Sequence, residues 1–402
     1  MTVALCGLIV GVVATPPTTV VADPPALARI HECGLRTPSS ARDPEGFDAL
    51  WQAAGAGWSG GDATFSERLP DGRVIWLFGD SFIGGLRADG ERDPATPMVR
   101  NSLVVQDGDC LTTVLGGTRE RPDAYFTAPD GEGEEWYWPN QPIARARDVV
   151  VFLTRMVRTG PGDWHFAVTG TAMATLSLPR LDVVDLRPVG TPPGIYMGSA
   201  LLQSDGFTYV FGVDGRTQQN EVHIARVRGD LTAGAWQYWA GSSWSSRPEA
   251  SKPVLHGVAS QFSVVRARNG ELVLLSQDGL QPRVVSFRAP APWGPWRAGP
   301  DVARIPSIPG GWTYNATAHP EYADHDQLLL SYNVSPLDPG DVHRLPSLYR
   351  PRFLSIPLAL DVRGYAGEAL PTGRRPCLKR GSRRAPRRAA RPCAPRRSRT
   401  RG

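Results

Sequence analysis

Two aspartates in the segment WSGGDATFSERLPDGRVIWLFGDSF, residues 58–82, are spaced so that a plain hairpin brings them together. Thr64 to Leu69 is β-prone, Pro70-Asp71-Gly72 is turn chemistry, and Val74 to Phe78 is an apolar run of the buried-strand type. If Leu69 pairs with Arg73 across a three-residue turn, counting outward sets Asp62 opposite Asp80, with Cβ atoms about 4.5–5.5 Å apart. A two-residue turn would shift the register by one and send the two side chains to opposite faces. Carboxylates held that close repel each other, so one keeps its proton longer and the two can divide acid and base roles. Taken singly, Asp62 also reads as a turn-capping residue after Gly60-Gly61, and Asp80 as an Asx turn closing a buried strand. The expected division puts Asp62, freed by the glycine pair, against the substrate. Asp80, behind an apolar strand, is then expected to have the raised pKa and act as the acid.

The elements that must hold this pair recur along the chain. A short strand opening on a small or polar residue, a charged turn and a strongly apolar strand appear five times. The copies open at Asp62, Asn140, Gly198, Gln261 and Asn315, and their apolar strands end at Asp80, Arg155, Val213, Gln277 and Asn333. Further β-prone segments lie between them, and no long amphipathic helix stands out. The expectation is an all-β chain, a five-bladed β-propeller over residues 23–366, whose ring is closed by the last apolar strand and the segment after Cys33. In such a ring the opening residues line one mouth of the channel. Hydrogen-bonding side chains there, with Trp136, Tyr137, Trp138, Trp312 and Tyr314 just before two of them, suit a polyhydroxylated ligand. The bland alternative is that the rings pack between blades.

Composition bounds the rest. The 402 residues carry a formal charge of +5, but the last 32 hold 13 Arg or Lys and no acid, leaving 31 basic against 39 acidic residues in 1–370. Residues 367–402 are therefore expected to be a disordered basic tail. Such a tail can attract anions but gives no specific nucleic-acid partner. Residues 1–22 contain an apolar run and a small-residue end, as in a signal peptide, though without a basic start, and are too short and Pro-interrupted to span a membrane. Export would pair Cys33 with Cys110; the alternative is two buried free thiols.

The segments WSGGDATFSERLPDGRVIWLFGDSF, VRNSLVV (99–105), SQFSVV (260–265), YNATAHPE (314–321), LLSYNV (329–334) and YRPRF (349–353) together resemble a family of secreted bacterial five-bladed propellers. That family, formerly a domain of unknown function, includes endo-D-arabinanases that cut mycobacterial-type arabinan. The resemblance spans about Trp58 to Leu358 and implies a secreted glycoside hydrolase whose catalytic aspartates are Asp62 and Asp80, the pair the hairpin count selects. It departs at Gln261, where many relatives are expected to carry an acid. The expected substrate contacts are Asn101, Trp138, Asn140, Gln261, Asn315, His319 and Asn333, with His319 equally readable as a loop histidine before Pro320.

Other chemistries fit less well. FGDSF resembles the first block of GDS-type serine esterases, with Ser81 as nucleophile, but there is no G-x-N-D block, and Ala316 stands where the aspartate before His319 should be. No metal motif or phosphate-binding glycine loop with a lysine occurs, so no metal and no cofactor are expected. A carbohydrate-binding propeller without catalysis remains the alternative from another class. The expected partner is a cell-wall polysaccharide of arabinan type, bound by a monomer.

Overall fold

The computed structural model describes residues 27–361, apart from 54, 56, 129–133, 163, 193, 217 and 218. The expected signal peptide and basic tail lie outside them. Among the described residues the fold is all-β, with five main antiparallel sheets laid down in chain order. The first runs Phe65–Arg68, Val74–Phe78, Ser102–Asp107, Cys110–Gly117 and, at its outer edge, Ala28–Glu32. The second is Glu135–Ala144, Asp148–Arg158, Phe166–Ser177 and Val183–Val189; the third begins Ile195–Ser204, Phe207–Asp214, Glu221–Arg228 and Trp236–Trp239. The fourth is Phe262–Arg266, Leu272–Gln277, Arg283–Ala289 and Arg297–Ala298, and the fifth Gly311–Asp324, Gln327–Pro336 and Arg352–Pro357. A small sheet of Trp58–Gly61, Ser81–Ile83 and Met98–Val99 extends the first hairpin.

The leading strand of each sheet packs on the leading strand of the next, and Gly311–Asp324 returns to Phe65–Arg68, so the order closes on itself. The period-2 alternation of a strand explains how. Val149, Val151 and Leu153 join the core shared with the first sheet, whereas Val150 and Phe152 join the core shared with the third. Leu272 and Leu274 likewise face the third sheet, and Val273 and Leu275 the fifth. A strand buried on both faces must read as an uninterrupted apolar run, which is the repeat visible in the sequence. Each seam thus has its own hydrophobic core, and removing one large side chain, Phe152→Ala for example, should cost about 3–5 kcal/mol.

The segment after Cys33 does reach the seam between the fifth and first sheets, but as a helix. It supplies no strand to the fifth sheet. It forms the helix Pro44–Gln52, which packs on Arg352–Pro357. Pro44 at the start and the Asp43 side chain, accepting from Gly46 N at 3.2 Å, set its N-terminus. Phe47, Leu50 and Trp51 fill the seam, Trp51 lying edge-on to Trp58, Trp76 and Phe78. Cys33 and Cys110 are disulfide-bonded with Cα atoms 4.0 Å apart, tying the outer strand Ala28–Glu32 to the first sheet. Among the described residues no helix is long and apolar enough to cross a membrane.

Candidate active site

The first hairpin adopts the counted register. Leu69 N donates to Arg73 O at 2.8 Å, and pairs run from Arg68↔Val74 to Phe65↔Leu77. Ala63 (φ 71°) and Thr64 (φ 54°) then break the strand, and pairing resumes with Gly61↔Ser81 and Gly60↔Phe82 in the same register. Asp62 and Asp80 stand at this break, where the first sheet hands over to the small one. Gly79 N donates to Asp62 O at 2.9 Å, and a Cβ on Gly79 would lie 2.6 Å from Asp62 Oδ1. Only glycine leaves room there for the carboxyl group.

Each carboxyl has its own company. Asp62 Oδ2 accepts from Tyr314 OH at 2.8 Å, and Tyr349 also donates to Asp62. Burial first, then the charge of Asp80, pushes Asp62 up to about 7, against the pull of the two phenols. Asp80 accepts from Arg100 Nη1 at 3.1 Å on one oxygen and from Trp138 Nε1 at 3.0 Å on the other. Burial raises Asp80 as well, and Arg100 and then Trp138 offset only part of that rise. Arg100 is itself fixed over the Trp136 ring, 4.5 Å from its centroid. The side chain of Asp80 keeps 19% of its surface exposed. Asp80 is thus raised, as expected, and Asp62 is raised as well; what separates them is the Arg100 guanidinium, which stands on Asp80 alone. That guanidinium comes from the bend between Met98–Val99 and Ser102–Asp107.

Aromatic rings flank the pair on both sides. Trp312 stacks on Tyr314 at 4.6 Å beside Asp62. Beside Asp80, Trp138 meets Phe166 edge-on at 5.1 Å, and Trp164, 73% exposed, continues beyond Phe166. Sequence reasoning did not select Arg100, Tyr349, Phe166 or Trp164. Arg100 and Tyr349 do lie inside the segments VRNSLVV and YRPRF, so the signal was a motif without a residue assigned.

The other expected contacts divide. Trp138 and Asn315 are half-buried, Asn315 in a left-handed bulge (φ 52°) directly after Tyr314. Asn101 is completely buried; its amide donates to Phe126 O and Tyr137 O, both at 3.0 Å, and its oxygen accepts from Phe126 N at 2.7 Å, which leaves nothing for a ligand. His319 is on a strand, not in a loop, and is fully buried between Ser66 and Ser331. Desolvation lowers it to about 3, so it is neutral and structural. Asn140 is spent on Thr154 Oγ1 at 2.8 Å, and the Asn333 oxygen accepts from Thr64 Oγ1 at 3.0 Å across the closing seam. Gln261 is 9% exposed and its side-chain oxygen is buried without a partner. Gly198 (φ 104°) is a seat for Phe152, whose Cβ would lie 2.2 Å from an added Cβ. All five opening positions nevertheless fall at a break or start of their leading strand, beside the register shifts at 139/142, 197/200 and 314/317 in three of them. Ser81 is fully buried, donates to Gly79 O and pairs with Ser102 Oγ, so it cannot act as an esterase nucleophile.

The family described as Domain of unknown function (DUF5005) matches residues 45–360, and the chain belongs to it. No curated protein matches the sequence. Among solved structures, a Bacteroides ovatus protein described provisionally as a hydrolase superposes with a TM-score of 0.66 at 20% identity, covering 77% of this chain and 88% of its own. A β-xylosidase/α-arabinofuranosidase from a compost metagenome gives 0.45 at 12% identity over 83% and 97%. An α-L-arabinofuranosidase from Podospora anserina gives 0.41 at 12% over 75% and 92%. The first likeness is one of fold, and the two weaker ones carry no inference.

Proposed function

We propose that this member of the DUF5005 family is a secreted glycoside hydrolase on a five-bladed β-propeller, cleaving arabinofuranosyl linkages of a D-arabinan-like polysaccharide with Asp62 and Asp80. The five sheets with their five seam cores are the blades. The observation that carries the activity is the split environment of two opposed carboxyls. One accepts from phenols and the other from a guanidinium. Environments that push two acids apart in this way assign an acid and a base.

In the reaction Asp62 gives its proton to the glycosidic oxygen as the bond to the anomeric carbon breaks. The Asp80 carboxylate then either attacks that carbon or takes a proton from the attacking water, and the anomeric configuration of the first product tells which. The rings of Trp138, Phe166 and Trp164 on one side and Tyr314 and Trp312 on the other offer apolar faces to successive sugars, which favours a polymer over a small glycoside. The furanoside class rests on the family resemblance of the segments around residues 58–82, 99–105 and 314–321. The test is release of reducing ends from purified arabinan, arabinogalactan and xylan. Cleavage of arabinan alone supports the proposal. Binding of arabinan without cleavage would replace it with a carbohydrate-binding role for the same aromatic faces.

A further inference from the structure

Away from the carboxylate pair, the third sheet gathers three metal-binding side chains on one face. Asp214 closes the strand Phe207–Asp214 and Glu221 opens the strand Glu221–Arg228 directly opposite it. His223 lies two residues further along, so the pleat turns it to the same side as Glu221. One donor atom from each of Asp214, Glu221 and His223 lies within 4.8 Å of the others.

Acidic residues at a strand end would by themselves mean little. The imidazole adds a separate fact. His223 is 4% exposed, and its Nε2 is buried and makes no hydrogen bond; the nearest acidic oxygen, Glu221 Oε2, is 3.9 Å away. The other nitrogen, Nδ1, is 2.9 Å from Ser251 Oγ. If Nδ1 carries the proton and donates to Ser251, Nε2 presents a lone pair to two carboxylates. Three electron-pair donors facing one another are reconciled by a cation. The present counter-charges are Lys252, whose charge reaches His223, and Arg216, which holds Asp214 through Nε at 2.8 Å and Nη2 at 2.6 Å with its own side chain 62% exposed.

We propose that Asp214, Glu221 and His223 bind a divalent transition-metal ion of the zinc class, with Ser251 orienting the imidazole and Arg216 as the competing cation. One imidazole and two carboxylates suit zinc, whereas calcium takes oxygen ligands only. Ligand bonds of about 2.0–2.2 Å require the donors to draw together to about 3.5 Å, a movement open to Glu221, whose side chain is 34% exposed. The hydrogen bond from imidazole to Ser251 is the kind of outer contact that fixes a ligating tautomer. The site shares no residue with the carboxylate pair and does not depend on the glycosidase reading.

The experiment is calorimetric titration of the untagged full chain with zinc chloride at pH 7.5, with metal per chain counted after desalting. His223→Gln should lower the bound zinc by one per chain, whatever the remaining cysteines take up. Glu221→Gln, at a half-exposed position that does not disturb the core, should weaken this same binding event at least about tenfold, and Ser251→Ala should weaken it about 10–100-fold. Arg216→Gln should tighten it by removing the competitor. Unchanged stoichiometry in His223→Gln together with unchanged affinity in Glu221→Gln would overturn the proposal. So would calcium binding as tightly as zinc.

Discussion

The first hairpin takes part in two acid pairs, and the two are built differently. At its outer end Asp62 and Asp80 meet at a strand break. Along its length Glu67 faces Glu321 of the fifth sheet closely enough for the charge of one to raise the other. Burial raises all four carboxyls. Glu67, pushed up to about 8, accepts from the backbone N of Ala144 at 2.9 Å, and Glu321 accepts from Ser66. Because Ser66 donates to Glu321, it must accept from His319 Nδ1, and His319 Nε2 then accepts from Ser331. The Glu67–Glu321 pair therefore stitches two sheets together with neither carboxyl hydrogen-bonded to a cationic side chain. At the hairpin end, Arg100 stands on one acid only. The comparison teaches that burial makes all four carboxyls reluctant to ionise, and that the pairs differ in how closely a cation is applied: Arg100 hydrogen-bonds Asp80, whereas Arg68 lowers Glu321 only through its charge.

The largest effect separates the pairs outright. Asp62→Asn and Asp80→Asn should each lower the rate on arabinan at least about 100-fold with ligand affinity retained. Glu67→Gln and Glu321→Gln should stay within about threefold. Comparable losses in all four would erase the distinction. Next comes the space that admits the acid: Gly79→Ala places a methyl 2.6 Å from Asp62 Oδ1, and the rate should fall about 10–100-fold with the fold intact by circular dichroism.

The cation itself gives a smaller, directional effect. Arg100→Met should cost about tenfold, and because Asp80 must be ionised, the acid limb of the rate profile should move to higher pH. Arg100→Lys should move it partly back. The basic limb, set by Asp62 near 7, should stay in place. If both limbs move together, the acids do not have separate roles.

The smallest effect is on stability. Glu67 holds its proton in the folded chain up to about 8 and in the unfolded chain only to about 4.5. Between those values the folded state binds more protons, so stability falls as pH rises. Glu67→Gln removes that loss. Its melting temperature should match wild type at pH 4 and exceed it by several degrees at pH 8.5. A constant difference across pH would show that Glu67 is not the group responsible.

The sequence by itself determined whatever depends on short separations and on pairing period. The turn Pro70-Asp71-Gly72 sets the register, and the register alone puts Asp62 opposite Asp80, because each step along one strand is matched by a step along the other. The apolar runs announced strands buried on both faces, and two cysteines in the body announced the bond between them. Only the tertiary structure decided what surrounds each side chain. Tyr314 reaches Asp62 from 252 positions away, Trp138 reaches Asp80 from 58, and His319 closes against Ser66 over 253. A pKa is set by neighbours within a few ångströms, and no local pattern encodes which distant strand supplies them. That is why the pair of aspartates was legible while the partners that distinguish them were not. It is also why Asn101 and His319, residue types that suit a binding site, proved to be internal fastenings of the sheets.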